Sequence, residues 1–145
     1  MEEAIKEAEK AFKADEVPVG AVIVDKKTGD IIAKAGNLSE ENKDPTQHAE
    51  IIAIKEACKK LGQSRLTGYD IYVTLEPCPM CAQAISFARL DSLYYGAEDK
   101  KGGGVENGAK IYSASSCHHK PDVYSGIYQK DAKELLQRFF KQKRG

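Results

Sequence analysis

The chain has 145 residues, 41% of them hydrophobic and 30% charged, enough for one domain with a real core and normal for a soluble globular fold. No apolar run is long enough to span a membrane and no signal-peptide pattern is present, which sets aside membrane-embedded and secreted classes. Formal net charge is zero but uneven: residues 101–145 carry nine Lys/Arg against four Asp/Glu, and residues 1–100 carry thirteen against eighteen, an asymmetry that permits a nucleic-acid-facing side without requiring one.

Residues 2–14 predict an amphipathic helix with Ile5, Ala8 and Phe12 inward. Residues 17–24 and 31–35 are short β-rich runs, with the Thr28-Gly29 loop between them making a hairpin. Asp44-Pro45-Thr46 signals a helix start, and Ile51, Ile54, Cys58 and Leu61 follow as an apolar helical stripe. Gly68 and Asp70 bound a strand over 71–75, which delivers Glu76-Pro77 and a helix running to about Leu90, packed through Ala82, Ile85 and Ala88. A strand over 92–97 comes next, then Gly102-Gly103-Gly104 opening a long loop of the kind that often carries function. The last strand falls at 123–128, with 110–114 competing for that role. Asp131 with Glu134 reads as a helix cap ahead of Ala132, Leu135, Leu136, Phe139 and Phe140. Phe139 belongs to the packed stripe and Phe140 to its margin. Lys141, Lys143 and Arg144 lie beyond the packed turns, facing solvent or phosphate. Strands alternating with helices after the hairpin predict a mixed sheet with helices against it, in a single domain over 1–145.

The chemistry concentrates in His48-Ala49-Glu50 and Pro77-Cys78-Pro79-Met80-Cys81. One histidine and two cysteines make three zinc ligands, which leaves the fourth tetrahedral position open, as in catalytic sites and unlike closed structural ones. Glu50 is the spare carboxylate, placed to carry protons in a hydrolysis. Residues two apart do not share a face in mid-helix, so His48 and Glu50 converge only if the site views a helix end-on. Cys78 and Cys81, three apart, do share a face, and Pro77 and Pro79 put them in the first helical turn. A helix N-terminus there favours the thiolates that Zn²⁺ needs. A lone Cys-x-x-Cys could also be a redox motif or half of a zinc ribbon, but no second ligand pair stands at ribbon spacing. Glu76, adjacent by sequence, is expected to orient the ligands by hydrogen bonding. Cys58 reads as a small core hydrophobe, and reduced thiols point to the cytoplasm. Cys117-His118-His119 could form a second metal site but lacks partner ligands, which favours a loop near substrate or a partner subunit.

His-x-Glu with Pro-Cys-x-x-Cys is the pattern of the zinc nucleobase deaminases. Nearly the whole chain resembles the bacterial tRNA-specific adenosine deaminases, a branch of the cytidine and deoxycytidylate deaminase superfamily. The resemblance is carried by Glu16-Val-Pro-Val-Gly-Ala-Val-Ile-Val24, Gly36-Asn37, Asp44-Pro-Thr-Gln-His-Ala-Glu-Ile51, Tyr72-Val-Thr-Leu-Glu-Pro-Cys-Pro-Met-Cys81, Tyr95-Gly-Ala-Glu-Asp99, and Phe139-Phe140 before a basic tail. It implies an α/β, three-layer α/β/α cytidine-deaminase-like fold with a mixed five-stranded sheet, one Zn²⁺ per chain, a homodimer, and deamination of adenosine to inosine at the wobble position of a tRNA anticodon stem-loop. By the same resemblance Asn37 would hydrogen-bond the flipped adenine and Asp99 would contact the RNA beside it; Phe140, at the margin of its helical stripe, is a candidate to stack near the substrate. Two other functions compete. One is deamination of a free base or nucleoside, of cytosine or guanine type, although cytidine deaminases usually carry cysteine where His48 stands. The other is a non-catalytic zinc-stabilised nucleic-acid-binding module, for which Glu50 would have no use.

Overall fold

The computed structural model describes residues 1–144; Gly145, the last residue of the predicted domain and of its basic tail, lies outside the described residues. The elements in order are α1 (Glu2–Lys13), β1 (Gly20–Asp25), β2 (Ile31–Gly36), α2 (Ala49–Leu61), β3 (Tyr69–Leu75), α3 (Pro79–Ala88), β4 (Ser92–Ala97), a 3-10 turn (Ile111–Ser113), β5 (Asp122–Tyr124) and α4 (Gln129–Arg144). The strands form one sheet in the order β2-β1-β3-β4-β5. β1 runs antiparallel to β2 and β3, while β3, β4 and β5 are parallel, so the sheet is mixed. Helices α1 and α4 pack together on one face, and α2 and α3 on the other. This is the α/β/α arrangement, with its core built from Ile23, Ile71, Val73, Leu93 and Tyr95 of the inner strands and Ala53, Ile85 and Leu90 beneath them.

Two helices turn a different face to the sheet from the one their bulky residues predict. α1 buries Ala4, Glu7, Ala8 and Ala11, leaving Ile5 and Phe12 at its flanks. The cause is a close approach: a Cβ at Gly20 would stand 2.0 Å from the Ala4 carbonyl oxygen, so only small residues fit between helix and strand. Phe12 instead meets Phe139 of α4 edge-on, with ring centroids 5.9 Å apart. Likewise α2 buries Ala49, Glu50, Ala53 and Ala57, and the stripe of Ile51, Ile54, Cys58 and Leu61 is only half-buried.

Several boundaries also move. β1 begins at Gly20 and not at Val17, because Pro18 has no N–H to give a ladder. α3 stops at Ala88, where Arg89 turns left-handed at φ 61°. The predicted strand over 123–128 shrinks to Asp122–Tyr124, cut short before Gly126, and the competing segment forms the 3-10 turn. α4 starts at Gln129, so Asp131 sits inside the first turn, where its charge still suits the helix dipole. Phe139 is 5% exposed and Phe140 44%, core and margin respectively.

Candidate active site

The site forms where two helix N-termini meet at the ends of β1 and β3. His48 is the N-cap of α2 and Cys78 the N-cap of α3; both are extended, at φ −76° and −69°. Neither side chain caps its own helix, so both are free for other work. Glu50 follows in the first turn of α2 and Cys81 in that of α3. The site views both helices end-on, which is how residues two apart converge. Asn37, just past β2, performs the missing cap: its Oδ1 accepts the Ala49 N–H at 2.8 Å. That bond fixes the amide, leaving its Nδ2 without a protein partner among the described residues.

The ligand atoms of His48, Cys78 and Cys81 all lie within 4.8 Å of one another, and no other His, Cys, Asp or Glu joins this group among the described residues. The His48 Nδ1 stands 3.6 Å from the Cys78 Sγ and 3.5 Å from the Cys81 Sγ. Sulfur and nitrogen ligands at about 2.3 and 2.0–2.1 Å, spread tetrahedrally around a zinc ion, would stand about 3.5–3.6 Å apart. Donor type and spacing therefore fit zinc with one position left over. Without a metal the two thiols share one proton. The hydrogen bond from the Cys81 thiol holds the Cys78 thiol down to about 4 against the upward push of burial, with the His48 ring helping. The proton retained on Cys81 is held tightly, chiefly by its bond to Cys78. The Cys78 hydrogen bond likewise raises the His48 imidazole.

Glu50 is 3% exposed. Burial pushes its carboxyl up from 4.5 to about 7, an effect its own backbone N–H and the His48 charge only partly oppose. A carboxyl near neutrality can both accept and return a proton. It lines a cavity of about 230 Å³ together with Asn37, His48, Glu76, Cys78 and Asp99, walled by Val17, Val19 and Leu75. That volume is below the roughly 300–1,000 Å³ of drug-sized sites and suits a single base.

Glu76 departs from its predicted role. Its carboxylate bonds the Asn107 side chain and the backbone N–H groups of Asp99, Val105, Glu106 and Asn107, not the His48 ring. Burial raises its carboxyl, but these donors outweigh burial and hold it below the usual range. Asp99 spends Oδ1 on the N–H groups of Lys101 and Gly102. Phe140 lies outside the small cavity, in a neighbouring cleft of about 610 Å³ with Glu98, Lys100, Lys133 and Arg144. The predicted free tail is partly tied down: the Lys143 Nζ lies 2.6 Å from the Asp15 Oδ1 and above the Phe139 ring. Cys117 and His119 pin their loop to α3 through Ser86 and the Leu90 carbonyl, with no metal group around them among the described residues. Glu16, buried and bonded to the Glu40 and Glu41 N–H groups, carried a signal that went unread: a carboxylate abutting an apolar run.

A three-layer fold with this histidine, two cysteines and a buried carboxylate at paired helix N-termini defines a hydrolytic nucleobase deaminase. The model of the MafB19-like deaminase family matches residues 1–144. A tRNA-specific adenosine deaminase of Agrobacterium fabrum is 56% identical over 99% of this chain and 93% of its own length. One of Aquifex aeolicus is 48% identical, over 97% and 91%. A solved tRNA:A34 deaminase, studied for A-to-I editing at the wobble position of transfer RNA, superposes with a TM-score of 0.91 at 56% identity, covering 94% of this chain and 97% of that one. The chain belongs to the tRNA-specific adenosine deaminase family.

Proposed function

We propose that the chain deaminates adenosine to inosine at the wobble position of a tRNA anticodon stem-loop, with Glu50 as proton carrier and His48, Cys78 and Cys81 holding one Zn²⁺. The observation that carries this is the buried Glu50 carboxyl beside a ligand set of zinc spacing in a cavity of one-base size. Zinc held there supplies Lewis-acid activation of a water molecule near neutral pH. Glu50 would take a proton from the attacking water as its oxygen adds to C6 of the base, and pass it to N1. The carboxyl would then carry the proton of the new C6 hydroxyl to the exocyclic amine; the C6–N bond breaks, ammonia leaves, and the ring is left as hypoxanthine with its C6 carbonyl. Asn37, its Oδ1 already engaged, offers Nδ2 to an acceptor on the base and so fixes its angle to Glu50. Val17, Val19 and Leu75 exclude bulk water from the reacting edge.

The test is inosine formation in an anticodon stem-loop alongside ammonia release from free adenosine, cytosine and guanine. A higher kcat/KM on a free base would favour the free-base reading. Asn37→Ala should lower kcat/KM on the stem-loop by roughly 10- to 100-fold, since it removes both the Ala49 cap and the bond that orients the base, with metal content unchanged because the three ligands themselves are kept. Loss of metal in that variant would place Asn37 in the wrong role.

The cleft beside Asp99 is read as the RNA-facing surface. Lys100, Lys133 and Arg144 make no ion pair among the described residues and surround the exposed Phe140 ring. Lys133→Ala with Arg144→Ala should weaken stem-loop binding and flatten its log–log salt dependence by about two, near one per phosphate contact. An unchanged slope would remove α4 from the RNA surface. Deleting the tail from Lys141 onward should leave thermal stability nearly intact, because the exposed Lys143–Asp15 pair is worth about 0–1 kcal/mol. Phe87, 74% exposed on α3 near Met80, supports a homodimer through that face. No helix among the described residues is long and apolar enough to cross a membrane; the two thiols offered to zinc must stay reduced, which supports a cytoplasmic location.

A further inference from the structure

Two loops contribute to the wall of the catalytic cavity, one through Asp99 and the other between Asn37 and His48, and each is held by one buried glutamate. Residues 99–107 carry Asp99 and the triple glycine. Glu76, 2% exposed, receives five hydrogen bonds from them: Oε1 accepts the Asp99 N–H at 3.1 Å and the Asn107 Nδ2 at 2.7 Å, and Oε2 accepts the N–H groups of Val105, Glu106 and Asn107 at 3.1, 2.9 and 3.0 Å. The fit admits no side chain: a Cβ on Gly103 would stand 2.6 Å from the Glu76 Oε2 and 2.4 Å from the Asp99 carbonyl oxygen. The Tyr95 hydroxyl, donating to Glu106, ties the same loop to β4. On the other wall, Glu16 is also 2% exposed and accepts the N–H groups of Glu40 at 3.1 Å and Glu41 at 2.8 Å. Those residues form the turn between Asn37 and His48. A buried carboxylate is stable only where such donors meet it, so each loop conformation and its carboxylate require one another.

We infer that Glu76 and Glu16 are positioning residues that set the two walls of the cavity independently, Glu76 placing Asp99 against the substrate and Glu16, through the Glu40–Glu41 turn, placing Asn37. Glutamine keeps the size of the side chain but replaces one acceptor oxygen by a donor group that faces backbone N–H groups. In Glu76→Gln, amide exchange at Val105, Glu106 and Asn107 should speed up at least about tenfold while Glu40 and Glu41 stay protected. Glu16→Gln should show the reverse. Metal content should stay at the wild-type level in both. The kinetic arm rests on the RNA-deaminase reading. In it, Glu76→Gln should raise KM for the stem-loop and spare turnover of free adenosine, whereas Glu16→Gln should lower kcat on both by roughly 10- to 100-fold. Asn107→Ala, which deletes one bond and leaves the carboxylate in place, serves if Glu76→Gln does not fold, and should give a weaker version of its exchange pattern. Unchanged exchange at 105–107, or both loops losing protection together in either variant, would overturn the inference. A wild-type protein inactive on the stem-loop would sink the functional reading and leave the exchange result to decide this one.

Discussion

Glu50→Ala should abolish deamination while the protein keeps its fold, its zinc and its affinity for RNA. Glu50 is buried beside the ligand set yet is not part of it. A single acid–base group is worth roughly 10²–10⁴-fold, and one that serves the water, the ring nitrogen and the leaving amine in turn should reach the upper end or exceed it. Inosine assays, metal analysis and binding on the same preparation check this. Zinc loss, or near-normal turnover, would defeat the role. A stability signature accompanies it in metal-stripped protein. Burial raises the folded-state pKa of Glu50 to about 7, above its ordinary 4.5. With a raised folded pKa, the stability linked to this group is present below the unfolded value and is lost as pH rises through the folded one. Glu50→Gln should therefore raise Tm at about pH 8, where the wild-type carboxylate is buried and charged, and change it little at about pH 4. Equal Tm changes at the two pH values would contradict the burial argument.

Cys78→Ser and Cys81→Ser should each lose zinc and activity together. Hydroxyls do not replace thiolates as zinc ligands, and among the described residues the group offers three candidate ligands. Metal retention against a chelator should weaken by more than the 10- to 100-fold that changes in outer hydrogen-bonding partners cause. Wild-type protein should carry about one zinc per chain. Cys117→Ser is the control: its thiol bonds Ser86 away from the site, and zinc content should not change. Stoichiometric zinc in either ligand variant would make the cluster something other than a zinc site.

The ligand set and its helical context were legible because the motif is local. Residues 44–51 and 76–81 each combine a turn signal, a helix start and reactive side chains within a few positions. β4 over Ser92–Ala97 agrees with the predicted strand to the residue: Asp91 precedes it, Glu98 and Asp99 follow it, and Leu93, Tyr94 and Tyr95 lie between. The buried helix faces differ from the predicted ones because side-chain size does not report depth. In α1 and α2 the backbone lies so near the sheet that alanines occupy the interior and isoleucines the flanks. No pattern within α1 reports that β1 passes so close at Gly20 that a Cβ there would stand 2.0 Å from the Ala4 carbonyl oxygen. Glu76 was placed near the site correctly, but its partners lie 23 to 31 residues away in a loop without periodicity.

The sequence by itself determined the fold class and the order of the elements and singled out the candidate reacting groups, because residue chemistry, turn signals and hydrophobic period are carried in short windows. Only the tertiary structure decided that two helix ends face each other so that Nδ1 and Sγ stand 3.5–3.6 Å apart. It alone put Asn37 on the first amide of α2, Phe140 in a separate cationic cleft, and Glu16 and Glu76 beneath the walls of the cavity. These placements depend on long-range packing, where the close approach of one backbone to another selects which side chains can meet.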